Sequence, residues 1–126
     1  MVIIDGVTFD IPIVSLKRNG QFLDKFAKRT EDGNLNRKLI GVYFNYSLKL
    51  GRSTTIGRIA YQKLWDKLTE PVEYHTVTVP DGNGLYTYTA YFSDVSDELL
   101  MQKAGENYWK NLSVDFIAKA PARKPA

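Results

Sequence analysis

A β-hairpin over residues 73–92 is the feature that most constrains the fold of this chain. The runs 73–79 and 85–92 are rich in threonine, tyrosine and valine, which suit a pleated, half-buried surface. Between them, residues 80–84 read Pro-Asp-Gly-Asn-Gly, a stretch of turn-forming residues. This arrangement predicts a hairpin around which an antiparallel sheet is built.

Further strands are predicted on both sides of this hairpin. An Asp-Gly pair at positions 5 and 6 predicts an N-terminal hairpin, and Pro12 indicates that its second strand lies at a sheet edge or bends there. Alternating apolar residues predict a long strand from Arg37 to Leu50, with Tyr43 on its outer face. The side chains predicted to face the core are Ile40, Val42, Phe44, Tyr46, Leu48 and Leu50.

One helix is predicted, over about residues 55–69. Apolar residues recur there at three- and four-residue steps, Ser53 or Thr54 is the candidate N-cap, and Pro71 follows the end. The predicted apolar side consists of Ile56, Ile59, Ala60, Leu64 and Leu68, with Trp65 beside them.

The C-terminal third predicts a second hairpin. Residues 104–107 are turn formers, and Tyr108–Lys119 reads as a strand. Residues 95–102 fit a strand or a helical turn, and the hairpin geometry favours the strand. The predicted fold class is therefore α+β: a single β-rich domain over 1–118, mainly an antiparallel sheet forming a barrel or sandwich with one packed helix. A flexible or extended basic tail follows over 119–126.

Residues 18–36 are interpreted as a long ordered loop with apolar anchors. Loops of this length are usually functional or bound to a partner, so we expect an interface here. The candidate interface residues are Phe22, Leu23, Phe26, Arg29 and Tyr43.

Charge alone does not indicate a nucleic-acid-binding surface. The net charge of +3 lies in the tail, and residues 1–118 carry 14 basic and 14 acidic side chains. A local excess of seven bases over three acids lies between Lys17 and Lys38. A single-stranded nucleic-acid-binding barrel, using this segment with Tyr86, Tyr88 and Tyr91, is therefore kept as the alternative function.

Catalytic, metal and cofactor chemistry is disfavoured by the sequence. The chain has no cysteine, and its single histidine, His75, lies in an alternating strand that favours a structural role. Asp94, Asp97 and Glu98 lack the spacing of a calcium loop, and no Gly-x-Ser-x-Gly nucleophile elbow occurs. We expect no enzyme activity, no metal and no cofactor; a small hydrolase ranks third among the functions considered.

Four phrases of the sequence resemble small structural proteins of prophages and tailed phages of Gram-positive bacteria. They are Arg-Thr-Glu-Asp-Gly-Asn-Leu at 29–35, Ile-Gly-Val-Tyr-Phe-Asn-Tyr at 40–46, Leu-Trp-Asp-Lys-Leu-Thr-Glu-Pro at 64–71 and the strand 108–119. The coarse architecture is also similar to the fold of tail-tube proteins, which assemble as rings.

The resemblance implies a tail-associated virion protein that forms a ring-like homo-oligomer and contacts other tail proteins. It would be found in the bacterial cytoplasm during assembly and then in the virion. The sequence shows no membrane span and no secretory signal, so no membrane partner is expected.

Overall fold

The predicted antiparallel sheet is confirmed by the structure. The computed structural model describes residues 2–51 and 57–125. The elements are β1 (Val2–Ile4), β2 (Val7–Phe9), β3 (Ile13–Arg29), β4 (Leu35–Leu50), α1 (Arg58–Leu68), β5 (His75–Asp81), β6 (Gly84–Lys103) and β7 (Glu106–Ala118). All strand pairs are antiparallel, in the order β2-β1-β5-β6-β7-β4-β3. This is consistent with a sandwich or barrel-like α+β fold.

The three predicted hairpins are confirmed. β5 pairs with β6 from His75 opposite Ala90 to Asp81 opposite Gly84. β1 pairs with β2 across Asp5 and Gly6, whose φ angles of 51° and 82° match the primed turns of two-residue hairpins. β6 continues through residues 95–102 and pairs with β7, so the strand interpretation of that segment is confirmed.

The prediction of a long loop at residues 18–36 is wrong. β3 runs through Arg29 and pairs with β4 as far as Leu35, leaving only residues 30–34 as the turn. The loop interpretation failed because most of β3 is exposed on both faces and therefore shows no alternation of polar and apolar residues. β3 and β2 are the two edges of the sheet, which agrees with the edge position predicted for β2.

The helix is confirmed, although its predicted apolar side is only partly correct. α1 buries Tyr61, Leu64 and Leu68, whereas Ile59 is 66% exposed. Predicted features at residues 53, 54 and 56 lie outside the described residues. Among the described residues, no helix has the length and apolar character needed to cross a membrane.

A single cluster of buried side chains unites the helix with the sheet. Tyr61, Leu64 and Leu68 join buried residues of β1, β4, β5, β6 and β7. In β4 the predicted core positions Tyr46, Leu48 and Leu50 are buried, but Ile40 is 41% exposed because the strand has left the core by that point.

The C-terminal segment lies beside β4 and bridges to it at Val42. Val42 donates its N–H to the carbonyl of Arg123 at 2.9 Å, and Ala122 donates to the carbonyl of Val42 at 2.9 Å. Gly41 admits this approach: a Cβ there would lie 2.6 Å from Cβ of Pro121. Residues 119–125 are thus attached to the sheet at Val42 instead of being free along their length.

Candidate functional site

The β3–β4 hairpin projects beyond the rest of the sheet, and we call its residues 17–45 the arm. β7 pairs with β4 only from Tyr46 to Lys49, so beyond Lys17 and Arg18, which pair with Ser47 and Tyr46, the arm is a two-stranded ribbon, joined on one side by the C-terminal segment at Val42. Its large exposed apolar side chains are Phe22, Leu23, Phe26, Leu35 and Ile40, with exposed fractions of 41–59%. Isolated two-stranded ribbons are marginally stable in water, which makes this exposed apolar surface a candidate for contact with a partner.

All five predicted interface residues lie on the arm, but they do not form one patch. Phe22 and Leu23 are consecutive in a strand, so their side chains point to opposite faces. Leu23 and Tyr43 come together and line a shallow hollow of about 110 Å³. Tyr43 is half-buried there, although it was predicted on an exposed outer face.

Phe22 belongs to the other face of the ribbon, where a charged pair accompanies it. The guanidinium carbon of Arg37 lies 5.3 Å from the centroid of the Phe22 ring, and Nε of Arg37 lies 2.5 Å from Oδ1 of Asp24. Register shifts on both sides of Asp24 bend the ribbon at this point. Arg29 lies near the tip, where it donates a 3.0 Å hydrogen bond to the carbonyl of Gly33.

Leu35 and Ile40 are interface candidates that the sequence analysis missed. Ile40 was assigned to the core because it continues the alternation of Tyr46 and Leu48. No local signal tells where a strand leaves the core, since that depends on where β7 stops pairing with β4.

The arm carries cations that make no ion pair with any residue that the structure describes. Arg37 pairs with Asp24, and Arg18 lies 2.8 Å from Asp81, an interaction that lowers the pKa of Asp81. The remaining lysines of the arm make no ion pair with any described residue; they are Lys17, Lys25, Lys28 and Lys38.

A second surface feature is a cleft of about 390 Å³ beside the end of α1, which we call the α1–β5 cleft. It is lined by Leu68, Glu70, Val72, Glu73, Tyr74, His75, Tyr91 and Phe92. Val72, Tyr74 and Tyr91 are 53%, 43% and 41% exposed, so the cleft has apolar walls with two carboxylates on its lining.

A polar cluster lies at the base of this cleft. Asp5 lies in the β1–β2 turn, and its Oδ2 is 2.6 Å from Nδ1 of His75. Oδ1 of Asp5 accepts a 2.9 Å hydrogen bond from the N–H of Thr76. Nζ of Lys67 lies 3.3 Å from Oδ2 of Asp5 and 2.9 Å from Oε1 of Glu70. The largest influence on the pKa of Asp5 is desolvation, which raises it, but the bonds from His75, Thr76 and Lys67 outweigh desolvation and the pKa is lowered.

The oxygen and nitrogen atoms of Asp5, Glu70 and His75 lie within 4.8 Å of one another, a spacing that could suit a metal ion. Two observations argue against this use. The ammonium of Lys67 already lies between the two carboxylates, and the 2.6 Å between Asp5 and His75 is shorter than the roughly 3.3 Å that separates two tetrahedral zinc ligands. The geometry is that of a hydrogen-bonded ion cluster tying the β1–β2 turn to β5 and α1.

The same pair resembles the histidine and orienting carboxylate of a catalytic triad, but no nucleophile among residues 2–51 and 57–125 accompanies it. His75 is 4% exposed, its ring stacks on Phe92 at 4.5 Å, and no hydroxyl group of a described residue bonds to it. The arrangement supports a structural role for the histidine.

The three tyrosines of the nucleic-acid alternative do not share a face. Tyr86 and Tyr88 stack on each other at 5.0 Å and pack on the core side, whereas Tyr91 faces the opposite side of β6. Burial raises the pKa of Tyr88 and, with Tyr46 and Tyr86 nearby, keeps its hydroxyl neutral. A stacking platform for successive bases would need all three rings on one surface.

No family model matches this chain, and no curated protein or solved structure is significantly similar to it. The resemblance to phage tail proteins therefore depends on the sequence phrases and the coarse architecture alone.

Proposed function

We propose that this protein is a non-catalytic structural component of a phage or prophage virion, tail-associated, and that it acts by assembling into a ring-like homo-oligomer. The observation that carries the proposal is the arm, a two-stranded ribbon with five large apolar side chains exposed. Burial of these side chains against a neighbouring subunit is favourable by about 25 cal/mol for each Å² of apolar surface that is removed from water.

The edges of the sheet support the same function. β3 lies at one edge, so one side of its 17 residues carries backbone groups without a neighbouring strand. Natural proteins usually protect such edges, and a long exposed edge is a template for pairing with another chain. A contact between two different surfaces of identical subunits closes into a ring when the rotation allows it.

The test compares the mass of the wild-type protein with that of F22S/F26S by light scattering after size-exclusion chromatography. Wild type is expected to be oligomeric at micromolar concentration, and the double variant is expected to be monomeric with an unchanged melting temperature. I59S is the matched control, because Ile59 is equally apolar and exposed but lies outside the arm. A monomeric wild type over the full concentration range would contradict the proposal.

A second candidate, single-stranded nucleic-acid binding, is favoured by one observation only. The four unpaired lysines of the arm could contact phosphates. Titration with a labelled oligonucleotide at two salt concentrations tests it: binding that weakens steeply with salt supports this candidate, and absence of binding removes it.

A further inference from the structure

We propose that the arm of one subunit docks into the α1–β5 cleft of a second copy of this chain, with Phe26 entering the cleft and Lys25 and Lys28 facing its acidic side chains. This inference rests on the proposed self-assembly and names the surface that receives the arm. The contact joins two different surfaces, so it is head-to-tail.

Charge complementarity selects a second copy as the occupant. The arm carries seven bases and three acids, whereas the chain outside the arm and the tail 119–126 carries seven bases and eleven acids. The two parts therefore have net charges of +4 and −4. Opposite charges of this size steer encounter and fix the orientation of one subunit on the next.

The cleft offers one carboxylate that is free to receive a cation. Glu70 is already paired with Lys67, and Asp5 is bonded to both His75 and Lys67. Glu73 is exposed and makes no ion pair with a described residue. The ammonium of Lys119 lies 4.5 Å from the ring centroid of Tyr74, so a base is already present beside the cleft and Glu73 is the side chain that a second base would approach.

The polarity of the two surfaces also matches. Phe26 is 52% exposed, and Lys28 lies two residues further along the same face of β3. Lys25 lies in the register shift between Asp24 and Phe26, so the arm presents an aromatic ring with Lys28 beside it and Lys25 at the adjacent bulge. The cleft of about 390 Å³ has exposed Tyr74 and Tyr91 on its lining. An aromatic side chain buried in a pocket and surrounded by polar contacts is the usual centre of a protein interface.

Charge reversal on each surface and on both together tests the docking. E73K and K25E/K28E are each expected to weaken self-association at least tenfold in analytical ultracentrifugation. The triple variant K25E/K28E/E73K is expected to recover most of the loss, since each head-to-tail contact then again joins opposite charges. D10K is the matched control, because Asp10 is exposed, makes no ion pair with a described residue and does not line the cleft.

The outcomes separate this inference from the proposed function. If K25E/K28E weakens association but E73K behaves like D10K, or if the triple variant shows no recovery, the arm binds elsewhere and the cleft assignment is overturned while self-assembly stands. If wild type does not associate, both proposals fail. If the arm variant associates normally and only loses oligonucleotide binding, the arm serves nucleic acid and the docking is overturned.

Discussion

Asp5 and His75, 70 residues apart in the sequence, are joined by a 2.6 Å contact between Oδ2 and Nδ1. The pKa of Asp5 is lowered, so its carboxylate is ionised near neutral pH and Nδ1 of the ring is the donor. The N–H of Thr76 also donates to Oδ1 of Asp5, and the N–H of Asp5 donates to the carbonyl of Thr76, so these contacts together fasten the β1–β2 turn to β5.

Replacing the Asp5 carboxylate should reduce stability in a pH-dependent way. D5N is expected to lower the free energy of unfolding by about 1–2 kcal/mol at pH 7, because charged hydrogen bonds to His75 and Lys67 are lost. A carboxyl group with a lowered folded-state pKa stabilises above its ordinary pKa of 3.8 and loses this effect as pH falls through the lower value. The difference between wild type and D5N should therefore shrink below about pH 4.

Urea unfolding between pH 7 and pH 3 measures this effect. D10N is the control, because Asp10 makes no such contacts and its replacement should leave stability within about 0.5 kcal/mol of wild type. A D5N penalty that stays constant down to pH 3 would contradict the prediction.

Removing the hydroxyl group should affect the free energy of unfolding differently at Tyr46 and at Tyr88, two tyrosines whose rings are in contact. Oη of Tyr88 is buried and has no hydrogen-bond partner among the described residues, whereas Oη of Tyr46 donates to Oδ1 of Asp81 at 2.8 Å. Y88F should leave the free energy of unfolding unchanged or raise it by up to about 1 kcal/mol, and Y46F should lower it by about 1 kcal/mol. Chemical denaturation of both variants checks the pair; the reverse order would show that the Tyr88 hydroxyl has a stabilising partner.

A side chain at position 41 should release the C-terminal segment from β4. In G41A the new Cβ would lie 2.6 Å from Cβ of Pro121 and 2.8 Å from the carbonyl oxygen of Arg123. The bond from the Val42 N–H to Arg123 should then be lost, and the free energy of unfolding should fall by about 1 kcal/mol.

Hydrogen exchange at the Val42 amide reports this release directly. G20A is the matched control on the same hairpin, because a Cβ at Gly20 would meet only Cγ1 of Val42 at an ordinary 3.8 Å. Equal exchange rates in G41A and wild type would mean that the tail does not hold this amide.

The helix supplies a direct comparison of a buried and an exposed apolar residue. L64A should cost about 2–5 kcal/mol, since Leu64 is 1% exposed and its loss leaves a cavity in the core. I59A should stay within about 0.5 kcal/mol of wild type, since Ile59 is 66% exposed. Thermal unfolding measures both, and similar losses for the two variants would place Ile59 in the core after all.

The sequence by itself determined the turns, strands and helix that are specified by residues close together along the chain. The Asp-Gly pair at 5–6 and the glycines near position 82 specify turns through their backbone freedom, and alternating runs beside them specify strands. α1 is predictable because its apolar residues recur with the helical period and are followed by Pro71.

The distal half of β3 and the candidate surfaces were decided by tertiary structure. Residues 18–29 show no alternation because neither face is buried, so only the pairing with β4 makes them a strand. The Asp5–His75 contact forms only when β1 pairs with β5, and the cleft forms only when the segment between α1 and β5 meets β6. The sequence pattern of one element indicates which of its faces is buried. The arm, the cleft and the Asp5–His75 contact are each formed by residues of different elements, so they are defined only once those elements have packed together.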